Sequence, residues 1–154
     1  MRRLIAITLL GLFACAATVH GQSPATRNPF VGAWRVTELA APNQPPNTSP
    51  QPGLYVFTNQ HYSMIRINGA KPLPDYPSND KATDAEKVAV FNALYLNSGT
   101  YTVTGNVLAT KAMVAKSAFA MAGPGNQYEF TVSGNTLVLP QKPSGMVIKL
   151  VRVE

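Results

Sequence analysis

From Ala33 to the C-terminus the chain is written in short runs that alternate apolar with polar residues, separated by glycine, asparagine and proline. An apolar residue at every second position lands on one face of an extended strand, so such runs specify half-buried antiparallel β-sheet. The run over 127–133 is the cleanest, with Tyr128, Phe130 and Val132 on one face and Gln127, Glu129 and Thr131 on the other. Seven further runs read as strands, over 33–39, 53–57, 62–67, 100–104, 106–114, 136–140 and 146–153; that over 106–114 is the least decisive, being rich in alanine, and that over 146–153 is apolar on both faces apart from Lys149 and Arg152. Short turn signals join several of them: Thr58-Asn59-Gln60-His61, Gly105-Asn106 and Gly134-Asn135. Eight strands in hairpin succession would leave two open edges as a flat sheet, and closing them into an up-and-down antiparallel barrel removes both. A two-sheet sandwich is the alternative, although sandwiches favour Greek-key crossings over simple hairpins.

Two stretches interrupt the β pattern. The segment 41–52 carries five prolines and cannot enter a ladder, so it is read as a long exposed loop. Further on, Thr83 with Glu86 forms a capping-box signature, and Val88, Phe91 and Tyr95 recur at helical spacing beside Leu94. This predicts one inserted helix over about 84–96. Asn97-Ser98-Gly99 should end it, with Gly99 at positive φ. A helix this short is marginal alone, so its apolar stripe is expected to dock on the sheet.

The N-terminus reads as an address. Arg2 and Arg3 precede an uncharged apolar run over 4–17, and Val19-His20-Gly21 offers a cleavage site. That is the layout of a secretory signal peptide, predicted here as residues 1–21. The apolar run falls short of the ~20 residues of a membrane span. A flexible tail over 22–29 and a single domain over 30–154 would remain, in the periplasm or outside the cell. The only cysteine, Cys15, lies in the leader, which leaves the mature part without a disulfide or a thiolate metal ligand. Leu12-Phe13-Ala14-Cys15 keeps open the alternative of an acylated lipoprotein.

Of 13 Lys and Arg, two fall in the leader, leaving 11 against 7 acidic residues, or +4. These charges are scattered rather than clustered or interleaved with aromatics, which argues against a nucleic-acid footprint. Beyond the leader there is one histidine, His61, at a predicted turn. That is too little for a Ser-His-Asp triad or a catalytic zinc site, so neither cofactor nor metal is expected.

The stretch Asn28-Pro29-Phe30-Val31-Gly32-Ala33-Trp34 resembles the opening motif of the lipocalins, a Gly-x-Trp at the start of the first barrel strand. Arg152 stands where that family places a basic residue over the tryptophan ring, a contact with a cation–π rationale. Gly53-Leu54-Tyr55-Val56-Phe57-Thr58 with Tyr62-Ser63-Met64, Leu96-Asn97-Ser98-Gly99-Thr100-Tyr101, and Gly134-Asn135-Thr136-Leu137 are similar to segments of the bacterial lipocalin-like domain proteins. The resemblance covers 30–154. It implies a barrel base built on Gly32, Trp34 and Arg152, and a lid-like role at the barrel mouth for the 41–52 loop.

An eight-stranded barrel is either filled by its own side chains or holds one small ligand. Trp34, Phe57, Tyr101, Tyr128, Phe130, Leu137, Leu139, Ile148 and Leu150 are expected inside. Tyr55, Tyr62, Tyr95, Tyr101 and Tyr128 would bring hydroxyls that need partners. Glu38, Arg66 and Lys111 sit where one strand register turns them inward and the other turns them to water. The candidate ligand-binding set is Phe57, Met64, Arg66, Tyr101, Tyr128 and Phe130, an aromatic wall with few polar tips. The expected function is non-catalytic binding of a small hydrophobic or amphipathic molecule by a monomer. A barrel isomerase or cyclase and a protease-inhibitor-like interaction module are the alternatives.

Overall fold

A computed structural model describes residues 28–78 and 80–154. The predicted leader, its cleavage site, Cys15 and most of the predicted tail lie outside the described residues. Asn28 and Pro29 are bonded to the barrel. The Asn28 amide donates to the Tyr101 hydroxyl at 2.6 Å, and the Pro29 carbonyl accepts from Arg152 at 2.7 Å.

The strands are β1 (Gly32–Ala40), β2 (Gly53–Phe57), β3 (His61–Ile67), β4 (Leu94–Thr104), β5 (Val107–Ala115), β6 (Asn126–Glu129), β7 (Thr131–Ser133), β8 (Thr136–Lys142) and β9 (Val147–Arg152). Every pairing is antiparallel, and each strand lies beside its neighbours in sequence. The ring closes through β1 on β9 and through β6 and β7 on β8. Because β6 and β7 are halves of one strand interrupted at Phe130, the barrel has eight staves. The predicted up-and-down barrel is the observed one.

Alternation determines which side chains point inward. On β2, Gly53, Tyr55 and Phe57 are buried while Leu54 and Val56 face out; on β3, Tyr62, Met64 and Arg66 are buried. The nine large residues expected inside are all there, with Phe130 half-buried. Phe30, Phe57, Tyr101 and Phe130 form an aromatic plug with ring centroids 4.6–5.9 Å apart, mostly edge-to-face. Below it, the Trp34 indole N–H donates to the Phe30 carbonyl at 2.8 Å, and the Arg152 guanidinium lies 4.0 Å from the indole centroid. Arg152 also donates to the Val31 carbonyl. Gly32 has φ +130, and a Cβ there would stand 2.3 Å from the Glu154 carbonyl oxygen. The expected base of Gly32, Trp34 and Arg152 therefore comes together as one unit.

The helical region departs from expectation in three ways. Helix α1 runs over Asp84–Ala93 and stops there, because Leu94 enters β4 at once. Tyr95 and Asn97-Ser98-Gly99 are thus strand residues. Gly99 does not cap a helix at positive φ; it sits at a β-bulge opposite Ala112, where a Cβ would lie 2.0 Å from the Lys111 carbonyl oxygen. The Thr83–Glu86 capping box is present, yet α1 buries no residue and leaves Val88 and Phe91 exposed. The cap, rather than docking of an apolar stripe, marks its start. A second short helix, α2 (Ala118–Ala122), fills a segment with no β pattern.

The two ends of the barrel differ. At the base are the tight connections after β2, β4 and β7 together with residues 28–31 and 153–154. At the other end lie the 41–52 loop, the long 68–83 segment with α1, the α2 segment and the connection from β8 to β9. This second end is the mouth.

Candidate functional site

The base and middle of the barrel are packed solid. Trp34, Tyr55, Leu108, Leu137, Leu139 and Leu150 have no solvent-exposed surface, so no water-sized void adjoins them. Towards the mouth, polar groups join the apolar filling. They come from inward positions of β2, β3 and β4, with Asn68 and Met146 beyond the strand ends.

Arg66 is the centre of this group. It is buried to 5% exposure on β3. Its Nη1 donates to the Tyr55 hydroxyl at 2.5 Å, its Nε to Asn68 Oδ1 at 3.0 Å, and its Nη2 points at Met146 Sδ at 3.8 Å. The Tyr95 ring lies 3.9 Å from the guanidinium carbon. Nearby, the Tyr62 hydroxyl donates to Asn97 Oδ1, and Gln141 and Thr110 bond to Asn126. The hydroxyls of Tyr55, Tyr62 and Tyr101 thus find polar partners, as the sequence required; Tyr101 donates to the Thr58 carbonyl at 2.6 Å.

Burial pushes the Tyr55 hydroxyl up from 10.0 to about 12, against the opposing pull of Arg66. Tyr128 is raised further, by burial first and then by Tyr95 and Tyr55. Tyr62 and Tyr101 are raised as well, again by burial first. In the fold these phenols stay protonated at a pH where the unfolded chain has begun to lose its protons. By linkage, stability is fully present below pH 10.0 and is lost as pH rises towards about 12. Urea unfolding at stepped pH should show a decline in that window of about 1.4 kcal/mol per pH unit from Tyr55. The Tyr55→Phe variant should decline less steeply; equal slopes for the two proteins would contradict the assignment.

The three charged positions left open by the sequence part ways. Arg66 turns inward. Glu38 faces out, 3.8 Å from Lys149. Lys111 also faces out, its amine on the Met121 and Gly123 carbonyls at the end of α2. Of the candidate ligand-binding residues, Phe57, Tyr101 and Phe130 belong to the aromatic plug near the base, whereas Met64, Arg66 and Tyr128 line the middle and mouth. Tyr95, Asn68 and Met146 complete the Arg66 cluster and were not candidates. The expected helix covers Tyr95, Asn68 reads as loop, and Met146, expected at the start of the last strand, precedes β9 in the structure.

An open groove of about 860 Å³ runs along β1–β3 towards the mouth, lined by inward-facing Val36, Gly53 and Arg66 as well as by outward-facing residues. Leu54, Ile65, Ile67 and Leu94 line it, with Pro50 and Pro52 of the 41–52 loop. The 41–52 loop is tied to β1 by paired backbone bonds between Leu39 and Asn47, at 3.0 and 2.8 Å. Among the described residues, no helix is long and apolar enough to cross a membrane, and no cluster of three or more His, Cys, Asp or Glu could hold a metal ion.

No family model matches the chain, and no curated protein matches it in sequence. Among solved structures it is similar to a lipocalin-like protein from Bacteroides uniformis ATCC 8492. That match has 11% identity and a TM-score of 0.50, over 81% of this chain and 99% of that one. It is also similar to an uncharacterized protein from Bacteroides eggerthii DSM 20697, at 10% identity and a TM-score of 0.49, over 80% and 98%. At 11% identity the first likeness is one of fold, and the fold is a lipocalin-like barrel.

Proposed function

We propose that the protein is a non-catalytic binder of a small amphipathic molecule, taken at the mouth end of the barrel. The observation that carries this reading is Arg66, which belongs both to the polar cluster of Tyr55, Tyr95 and Asn68 and to the lining of the apolar groove. Neither feature is needed to close a barrel, and together they offer a polar anchor beside an apolar bed. A groove of about 860 Å³ suits one small molecule. The packed base argues for a ligand held near the rim, with its body under the proline loop. Half-buried Tyr95 and Met146 are the side chains that would shift to admit its head. The leader-like N-terminus supports an exported protein that works in the periplasm or outside the cell.

A second reading, a protein-interaction surface, is favoured by one observation. The outer face of β2 and β3 exposes Leu54 at 47% and Ile65 at 45%.

Native mass spectrometry of protein purified from its own host tests the first reading. The expected result is a discrete mass increment of a few hundred daltons that disappears on denaturation. Mass equal to the bare chain, together with no saturable uptake of apolar fluorescent probes, would remove it.

A further inference from the structure

We infer that the molecule held at the mouth carries a carboxylate, and that Arg66 is the group that reads it. This deepens the binding reading above and rests on it. Taking a cation out of water costs several kcal/mol unless an anion or a full set of acceptors replaces the lost hydration. Arg66 is 5% exposed, and none of the ion pairs among the described residues includes it. The chain has seven acidic residues, all of them described. Asp84, Glu129 and Glu38 pair with Lys87, Lys142 and Lys149, and Glu86 is held in the helix cap. What surrounds the guanidinium instead is neutral: two phenols, an amide and a thioether.

The donors of Arg66 show where the missing anion belongs. A guanidinium carries one N–H on Nε and two on each Nη. Nε is engaged by Asn68, and one N–H of Nη1 by Tyr55. Among the described residues, Nη2 has only the Met146 sulfur at 3.8 Å, a weak acceptor at long range. One N–H of Nη1 and the better part of Nη2 therefore remain, on the two terminal nitrogens that form the end edge of the fork. That edge matches the two oxygens of a carboxylate, which it would bind through parallel charge-assisted hydrogen bonds. Movement of the flexible Met146 side chain opens the place. The Tyr55 hydroxyl, kept protonated by burial, accepts from Nη1 and retains its own proton to give to the same anion. With the head seated there, the apolar groove lined by Ile67, Leu94, Pro50 and Pro52 is left for an uncharged body.

The test compares dodecanoate, dodecanol and dodecyltrimethylammonium, three probes with one tail and three head charges, by calorimetric titration of the wild-type protein. Dodecanoate is expected to bind at least about tenfold more tightly than dodecanol, and the cationic probe most weakly. Arg66→Met should bring dodecanoate down to the dodecanol value, and Arg66→Lys should restore part of the preference. Circular dichroism of each variant reports whether the barrel is intact. The wild-type comparison stands without any variant. Equal binding of dodecanoate and dodecanol would overturn the carboxylate assignment and leave the binder reading in place. A preference that survives in a folded Arg66→Met protein would overturn the role of Arg66. Binding of none of the three would overturn both readings.

Discussion

Replacing Trp34 with alanine is expected to lower the unfolding free energy by about 3–5 kcal/mol, the range for truncating a fully buried aromatic. Three contributions fall together at this site. The indole is buried to 0% exposure, its N–H bonds the Phe30 carbonyl, and its face carries the Arg152 guanidinium at 4.0 Å. Arg152 in turn draws in the carbonyls of Pro29 and Val31, so losing the ring loosens the entry of β1 as well. Against a typical domain stability of about 5–15 kcal/mol, such a loss brings the variant close to unfolding at ambient temperature. Thermal and urea unfolding followed by far-ultraviolet circular dichroism measure it. A cost below about 1 kcal/mol would mean that the base is not a structural keystone.

The second large effect is expected at Gly99. Substitution by alanine places a Cβ 2.0 Å from the Lys111 carbonyl oxygen and 2.8 Å from the Met113 amide nitrogen. Both obstacles are backbone, so no side chain can swing aside, and the β4–β5 ladder must part at the bulge. A cost of about 1–3 kcal/mol is expected from overpacking of this kind. The damage should be local. Hydrogen exchange should show lost protection across β4 and β5 while β1 and β9 keep theirs, and uniform protection in Gly99→Ala would contradict the geometry.

Gly99 also shows where the sequence was legible and where it was not. Strands with large apolar residues on alternate positions, such as 127–133, announced themselves. The first half of β4 did not, because its inward positions are Tyr95, Asn97 and Gly99. One is large and two are polar or small, and Asn97 is buried through its bond to Tyr62 across the sheet. A tyrosine at position 95 fits helical spacing from Phe91 equally well, so local pattern favoured extending α1. Cross-strand partners decided otherwise.

The charged residues carry the same lesson. Simple alternation puts Glu38 on the inner face with Trp34 and Val36. The bulge between Val36 and Glu38 inserts Thr37 as an extra residue, turns Glu38 outward and sets Leu39 opposite Ile148. No bulge intervenes on β3, so Arg66 keeps its inward phase behind Tyr62 and Met64. A bulge is set by pairing partners far away in sequence, which is why the candidate site could be narrowed from the residues alone but not fixed. The Gly-x-Trp start and the distant Arg152 were readable because each depends on one side chain at a known place in the barrel.

The first and last described residues meet at one pole of the barrel. Ala33 donates to Glu154 at 3.3 Å and accepts from Val153 at 2.8 Å, and Asn28 reaches the Tyr101 hydroxyl beside them. Anything that tethers the chain through the segment leading to Asn28 therefore holds it by its floor, with Arg66 and the proline loop aimed away from the point of attachment. Immobilised from that side, the molecule would stand like a cup on a shelf, its open end facing the surrounding fluid.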